Sequence, residues 1–145
     1  MMMHKVLFSI NPKHVENILN GTKRVEYRKV RCQKDVNKIV IYSTSPVRCV
    51  VAEVEVIGVI EDSIDAVWEL TQDVAGITQK NYESYYEGKD KAIAYQLGEV
   101  TEFEQPKQLR DFGLRHAPQS FAYVSEKEPR QAEPTKKTVA VQSSM

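Results

Sequence analysis

Residues 21–28, Gly-Thr-Lys-Arg-Val-Glu-Tyr-Arg, place an ammonium, a carboxylate and a guanidinium within one short segment. Lys23, Glu26 and Arg28 converge where a helix pattern gives way to a strand pattern, and such a trio can bind a polar or anionic ligand. The cations would hold phosphate or a carbonyl oxygen, and Glu26 would orient Lys23 and accept a hydrogen bond from an amino group. Arg24, Lys29 and Arg31 add positive charge alongside, and Lys13 precedes them. Ser43, Thr44, Gln119 and Ser120 supply polar groups from other parts of the chain. A purely structural use of the same residues is a salt-bridge ladder fastening helix to strand.

The elements around this segment follow from its flanks. Lys5 to Ile10 is apolar and short, as a buried strand is. Asn11-Pro12 then opens a helix, because Asn caps free amides and Pro suits the first helical position. Val15, Ile18 and Leu19 give that helix one apolar stripe, and Asn20-Gly21 ends it. In the strand that follows, Arg24, Glu26 and Arg28 share one face while Lys23, Val25 and Tyr27 share the other. Lys23 stands at the strand's mouth, from which it can curl toward Glu26.

Further strands are expected at 37–43, 48–60, 91–97 continuing through 99–103, and 120–124. Gly58 marks a bulge in the longest of them. Helices are expected after Ser63, with Ile64, Val67, Trp68 and Leu70, and after Thr78, with Tyr82, Tyr85 and Tyr86. Pro106 is read as opening a single helical turn with Leu109 and Phe112. Five to six strands and short peripheral helices make an α+β fold, a small mixed β-barrel over residues 1–124. Residues 125–145, rich in Ser, Thr, Pro, Gln, Glu and Lys, read as a disordered tail.

At 145 residues, with 41% apolar and 28% charged residues, the chain suits one domain with a genuine core. No apolar run reaches the roughly 20 residues that span a bilayer, and no secretory signal opens the chain. A cytoplasmic location is expected. Cys32 and Cys49, with three scattered histidines, have no metal-ligand spacing, so neither a metal nor a cofactor is expected. Residues 1–50 hold ten Lys/Arg against three Asp/Glu, and residues 51–124 hold six against fourteen. A domain polarised in this way steers an anionic partner to one face unless its halves interleave.

Gly21-x-Lys23-x-x-Glu26-x-Arg28 resembles the signature of the ASCH family, a branch of the PUA-like β-barrels. Ser9-Ile10-Asn11-Pro12-Lys13, Ile41-Tyr42-Ser43-Thr44-Ser45-Pro46, Tyr85-Tyr86-x-Gly88 and Ala117-Pro118-Gln119-Ser120-Phe121-x-Tyr123 are similar to one subgroup, in the same order. The resemblance covers residues 5–124. It implies a partly open barrel with a cleft beside the first helix, and binding of RNA or a modified nucleotide, in some relatives as regulators. Another branch hydrolyses the amide of acetylated cytidine with a Lys and a Thr of this motif and a downstream Glu. Lys23 matches that Lys, but Glu26 occupies the threonine position, which removes the nucleophile.

These residues suit three functions. A nucleic-acid-binding module would use Lys13, Lys23, Arg24, Arg28 and their neighbours on phosphates and Glu26 on a base amino group. A hydrolase of acetylated cytidine or a related nucleoside would use Lys23 as base and Glu26 to activate water. A protein-interaction domain would expose Trp68, Tyr82, Tyr85 and Tyr86, which at helical spacing also suit a core.

Overall fold

The structure, a computed structural model, describes residues 3–125. The tail expected from residue 125 onward lies outside the described residues, Ser125 excepted. Six strands, His4–Ile10 (β1), Val25–Arg28 (β2), Val36–Ser43 (β3), Cys49–Asp62 (β4), Ala92–Lys107 (β5) and Phe121–Val124 (β6), form one sheet. Their order is β2-β5-β4-β3-β1-β6. Only the β1–β3 pairing is parallel; the others are antiparallel. Three short helices, Pro12–Leu19 (α1), Ile64–Thr71 (α2) and Gln79–Tyr85 (α3), lie outside the sheet.

A parallel pair needs a crossover connection, and here it carries the motif. The chain leaves β1, runs through α1 to β2 at the opposite edge, and returns to β3 beside β1. In a flat sheet β1 and β5 would stand about 14 Å apart, three strand spacings. Instead the rings of Phe8 and Tyr95 meet edge to face with centroids 5.6 Å apart, so the sheet curls strongly. Register shifts along β4 and β5, including one at Gly58, bend the two longest strands. The expected bulge is therefore present, and a Cβ on Gly58 would collide with Oε1 of Gln96.

The curl does not close into a barrel. β2 and β6 are the two edges of the sheet, and each is only four residues long. Side chains fill the seam where a barrel would have a hydrogen-bonded ladder: the Arg28 guanidinium donates to the Ser120 carbonyl at 2.8 Å. The return loop is stitched down similarly, with Cys32 N–H donating to Tyr95 Oη at 2.9 Å and Lys34 N–H to Tyr123 Oη at 3.1 Å. The α+β class stands, and the expected small mixed β-barrel is corrected to an open, curled sheet.

Pro106 needs a second correction. It lies within β5, and the helical turn starts later, at Leu109–Phe112, with Gln108 N–H donating to Asp111 at 3.0 Å. β2 pairs with β5 only over residues 93–96, so the far half of β5 is an edge where a missing N–H is tolerated.

The concave core holds Phe8, Ile10, Ile18, Ile41 and Tyr95. A second cluster packs Val25 and Tyr27 of β2 against Val67, Tyr82 and Tyr86. Val25 and Tyr27 therefore face this core, as the period of two predicts. Tyr82 and Tyr86 are buried within the same aromatic stack and Trp68 is partly buried, so of the four rings considered for an aromatic docking surface only Tyr85 is exposed. No helix among the described residues is long and apolar enough to cross a membrane.

Candidate functional site

Lys23 arrives at the site from a helix terminus. Gly21, at φ +88°, turns the chain out of α1, and the Lys23 amide then donates to the Asn17 carbonyl at 3.0 Å. Arg24 donates its N–H to the Val74 carbonyl at 2.8 Å, and its carbonyl accepts from Leu97 N–H at 3.0 Å, so the residue is clamped on both sides. Lys23 is only 3% exposed. Its Nζ donates to the Ala75 carbonyl at 3.0 Å and lies 4.9 Å from the centroid of the Tyr27 ring. Burial pulls its pKa below the usual lysine range, and the charge of Glu26 partly offsets this.

Glu26 and Arg28 project from the opposite face of β2 to Val25 and Tyr27. The Glu26 carboxylate accepts from Arg28 Nη1 at 3.1 Å through Oε2, whereas Oε1 is buried without a hydrogen-bond partner. Arg28 Nη2 reaches both the carbonyl and the hydroxyl of Ser120, at 2.8 and 3.2 Å, and the guanidinium lies 4.3 Å over the ring of Phe8. One cation thus fixes the carboxylate and spans the sheet's open seam. His14, on α1, has its pKa lowered by burial first and by the nearby Lys23 charge second, against the pull of Glu26. It is a neutral imidazole at physiological pH, and its Nδ1 is also buried without a partner.

These four side chains line one cavity of about 480 Å³, within the range of small-molecule sites. Asn11 and Ser9 border it at the end of β1, and Asn81, Ser84 and Tyr85 border it from α3. A third of its lining, Ile77, Asn81, Ser84 and Tyr85, is therefore brought in by segments far from the motif in sequence. A second hollow of about 380 Å³ lies on the other side of Lys23, lined by Arg24, Leu97 and Glu99. Among the described residues no group of three or more His, Cys, Asp or Glu is placed to hold a metal ion.

A family model described as a domain of unknown function, DUF365, matches residues 3–116. The chain belongs to that family. It is also an ASCH-domain protein. An ASCH domain-containing ribonuclease of Zymomonas mobilis subsp. mobilis is 25% identical over 130 residues, covering 86% of either chain. The crystal structure of ASCH from Zymomonas mobilis superposes with a TM-score of 0.77 at 23% identity, covering 85% of this chain and 89% of that one. A large ribosomal subunit protein uL22 of Ureaplasma parvum serovar 3 is 29% identical over 120 residues. The match takes in 82% of this chain and spans only 39% of that relative's length.

Of the residues singled out in this ASCH-domain chain, Lys23, Glu26 and Arg28 meet in the cavity, with Ser120 tied to it through Arg28. Arg24 is exposed and turns to the second hollow, donating to the Leu97 carbonyl at 3.3 Å. Lys13 is exposed on α1 outside the cavity lining, and its charge helps to disfavour protonation of His14. Ser43 is buried at the end of β3, Thr44 binds the Ile10 carbonyl through its N–H at 3.0 Å, and Gln119 is exposed beyond the lining.

His14, Asn81, Ser84 and Tyr85 were not singled out as ligand contacts from sequence. Only Tyr85 lies within a stretch that resembles the ASCH subgroup, Tyr85 to Gly88, and His14 directly follows another, Ser9 to Lys13; both stretches contribute to the lining. Nothing in the sequence pointed to Ala75, whose carbonyl holds the Lys23 ammonium.

Proposed function

We propose that this ASCH-domain protein binds RNA by seating the base of an unpaired nucleotide in the cavity of Lys23, Glu26 and Arg28. The observation that carries the reading is a buried carboxylate oxygen left without a partner beside a buried ammonium. Each such group costs free energy unless something completes its hydrogen bonds, and a nucleobase edge offers both donors and acceptors. Recognition of RNA commonly reads splayed, single-stranded bases in this way. Lys29, whose Nζ lies 4.6 Å over the ring of Tyr85 at the cavity's border, is placed to meet a neighbouring phosphate.

The test is binding of a fluorescent single-stranded RNA at several salt concentrations. Affinity is expected to fall with salt and to drop at least tenfold in Lys23→Ala, whose lost charge-assisted bond is worth about 1.5–3 kcal/mol. Absence of binding to any single-stranded RNA at low salt would end the reading.

A second reading is cleavage of the bound RNA, favoured by likeness over nearly the whole chain to a relative named as a ribonuclease. The neutral imidazole of His14 could take a proton and the Lys23 ammonium could steady developing negative charge. Fragments released from a labelled RNA, and lost in His14→Ala, would favour it. Hydrolysis of acetylated cytidine is less well supported, since Glu26 stands where that chemistry places a hydroxyl.

A further inference from the structure

We propose that the base seated beside Glu26 is guanine. This rests on the RNA-binding reading above and adds the identity of the base. The argument is one of matching donors to acceptors. Glu26 lines the cavity 6% exposed, its Oε2 held by Arg28 at 3.1 Å and its Oε1 without a partner. Lys23 is committed to a single hydrogen bond, to the Ala75 carbonyl at 3.0 Å, among the three its ammonium can donate. The lining of one cavity thus holds acceptors on the carboxylate and donors on the ammonium.

Guanine is the common base whose pairing edge sets two parallel N–H groups, N1–H and the 2-amino group, beside a carbonyl oxygen, O6. Its N–H pair suits a carboxylate, and O6 suits an ammonium. Cytosine and adenine offer one amino group next to an unprotonated ring nitrogen, whose lone pair would face the carboxylate. Uracil offers a single N–H between two carbonyl oxygens, one of which would face Glu26.

The experiment measures the full chain against uridine decamers carrying one central guanosine, inosine, cytidine or adenosine, with all-uridine RNA as baseline. Inosine keeps O6 and N1–H and lacks only the 2-amino group. The guanosine decamer is expected to bind about tenfold more tightly than the inosine decamer, the effect of one charge-assisted hydrogen bond. It should exceed the cytidine, adenosine and all-uridine decamers by at least as much. Equal affinity for guanosine and inosine, or tighter binding of cytidine or adenosine, would overturn the guanine assignment while leaving RNA binding standing. Failure of every decamer to bind at low salt would overturn both. The inosine comparison uses the unaltered protein, so it does not depend on whether a Glu26→Gln variant folds.

Discussion

Gly76 lies so close to Lys23 that a Cβ on it would stand 2.5 Å from the Cβ of Lys23. The loop from α2 to α3 therefore presses directly on the residue that the motif delivers, and its Ala75 carbonyl takes the ammonium. Gly76 also has φ +69°, a conformation that a side chain disfavours.

Gly76→Ala is expected to destabilise the fold by about 3 kcal/mol, from strain at positive φ plus overpacking. Gly21→Ala is the control, because Gly21 has φ +88° but nothing within 4 Å of its added Cβ. It should cost only about 1 kcal/mol. Urea denaturation of both variants isolates the contact with Lys23, and equal losses would show that the contact is not tight.

Lys23→Met should do opposite things to stability and to binding. Removing a buried ammonium while keeping the side chain's volume is expected to raise stability by about 1 kcal/mol at neutral pH. RNA affinity should fall. Since the Lys23 pKa is lower folded than unfolded, the unfolded chain binds the extra proton between the two values, and stability rises with pH there. The advantage of the methionine variant should therefore shrink as pH climbs toward the ordinary lysine range, as urea midpoints at successive pH values will report.

Arg28→Lys is not a conservative change at this position. A lysine cannot hold Glu26, Ser120 and the face of Phe8 with one flat group. Exchanging the guanidinium for an ammonium weakens the bond to Glu26 and gives up that to Ser120, at an expected cost of about 1–3 kcal/mol. Amide hydrogen exchange at Phe121–Val124 should quicken more than at β3, because the Arg28 side chain ties β2 across the seam to Ser120, next to β6. Unchanged protection there would show that the seam closes without it.

Four buried phenols predict loss of stability in alkali. Burial pushes the Tyr27 pKa up to about 12, and it raises those of Tyr82, Tyr86 and Tyr95 as well. The folded values lie above the unfolded ones, so this contribution is complete below the ordinary tyrosine pKa and is lost as pH rises past it. Urea midpoints should fall steadily above about pH 10. Tyr27→Phe, which gives up only the 2.6 Å contact with Thr71, should lessen the fall.

Local chemistry sufficed for much of this protein. Asn11-Pro12, Ser63 and Thr78 announce helix starts because capping involves neighbours in the chain, and all three cap the helices observed. Alternation around Glu26 put Val25 and Tyr27 on the core side because strand faces repeat every two residues. The ASCH motif drew Lys23, Glu26 and Arg28 together on the page, since six positions contain all three. Long-range geometry decided the rest. Whether the sheet closed depended on pairing between β2 and β6, ninety residues apart, where a side chain took the place of a ladder. The partner of Lys23 is a backbone carbonyl, which every residue possesses and no residue type advertises. The neutrality of His14 arises from burial and from a charge across the cavity, and those exist only once the chain has folded.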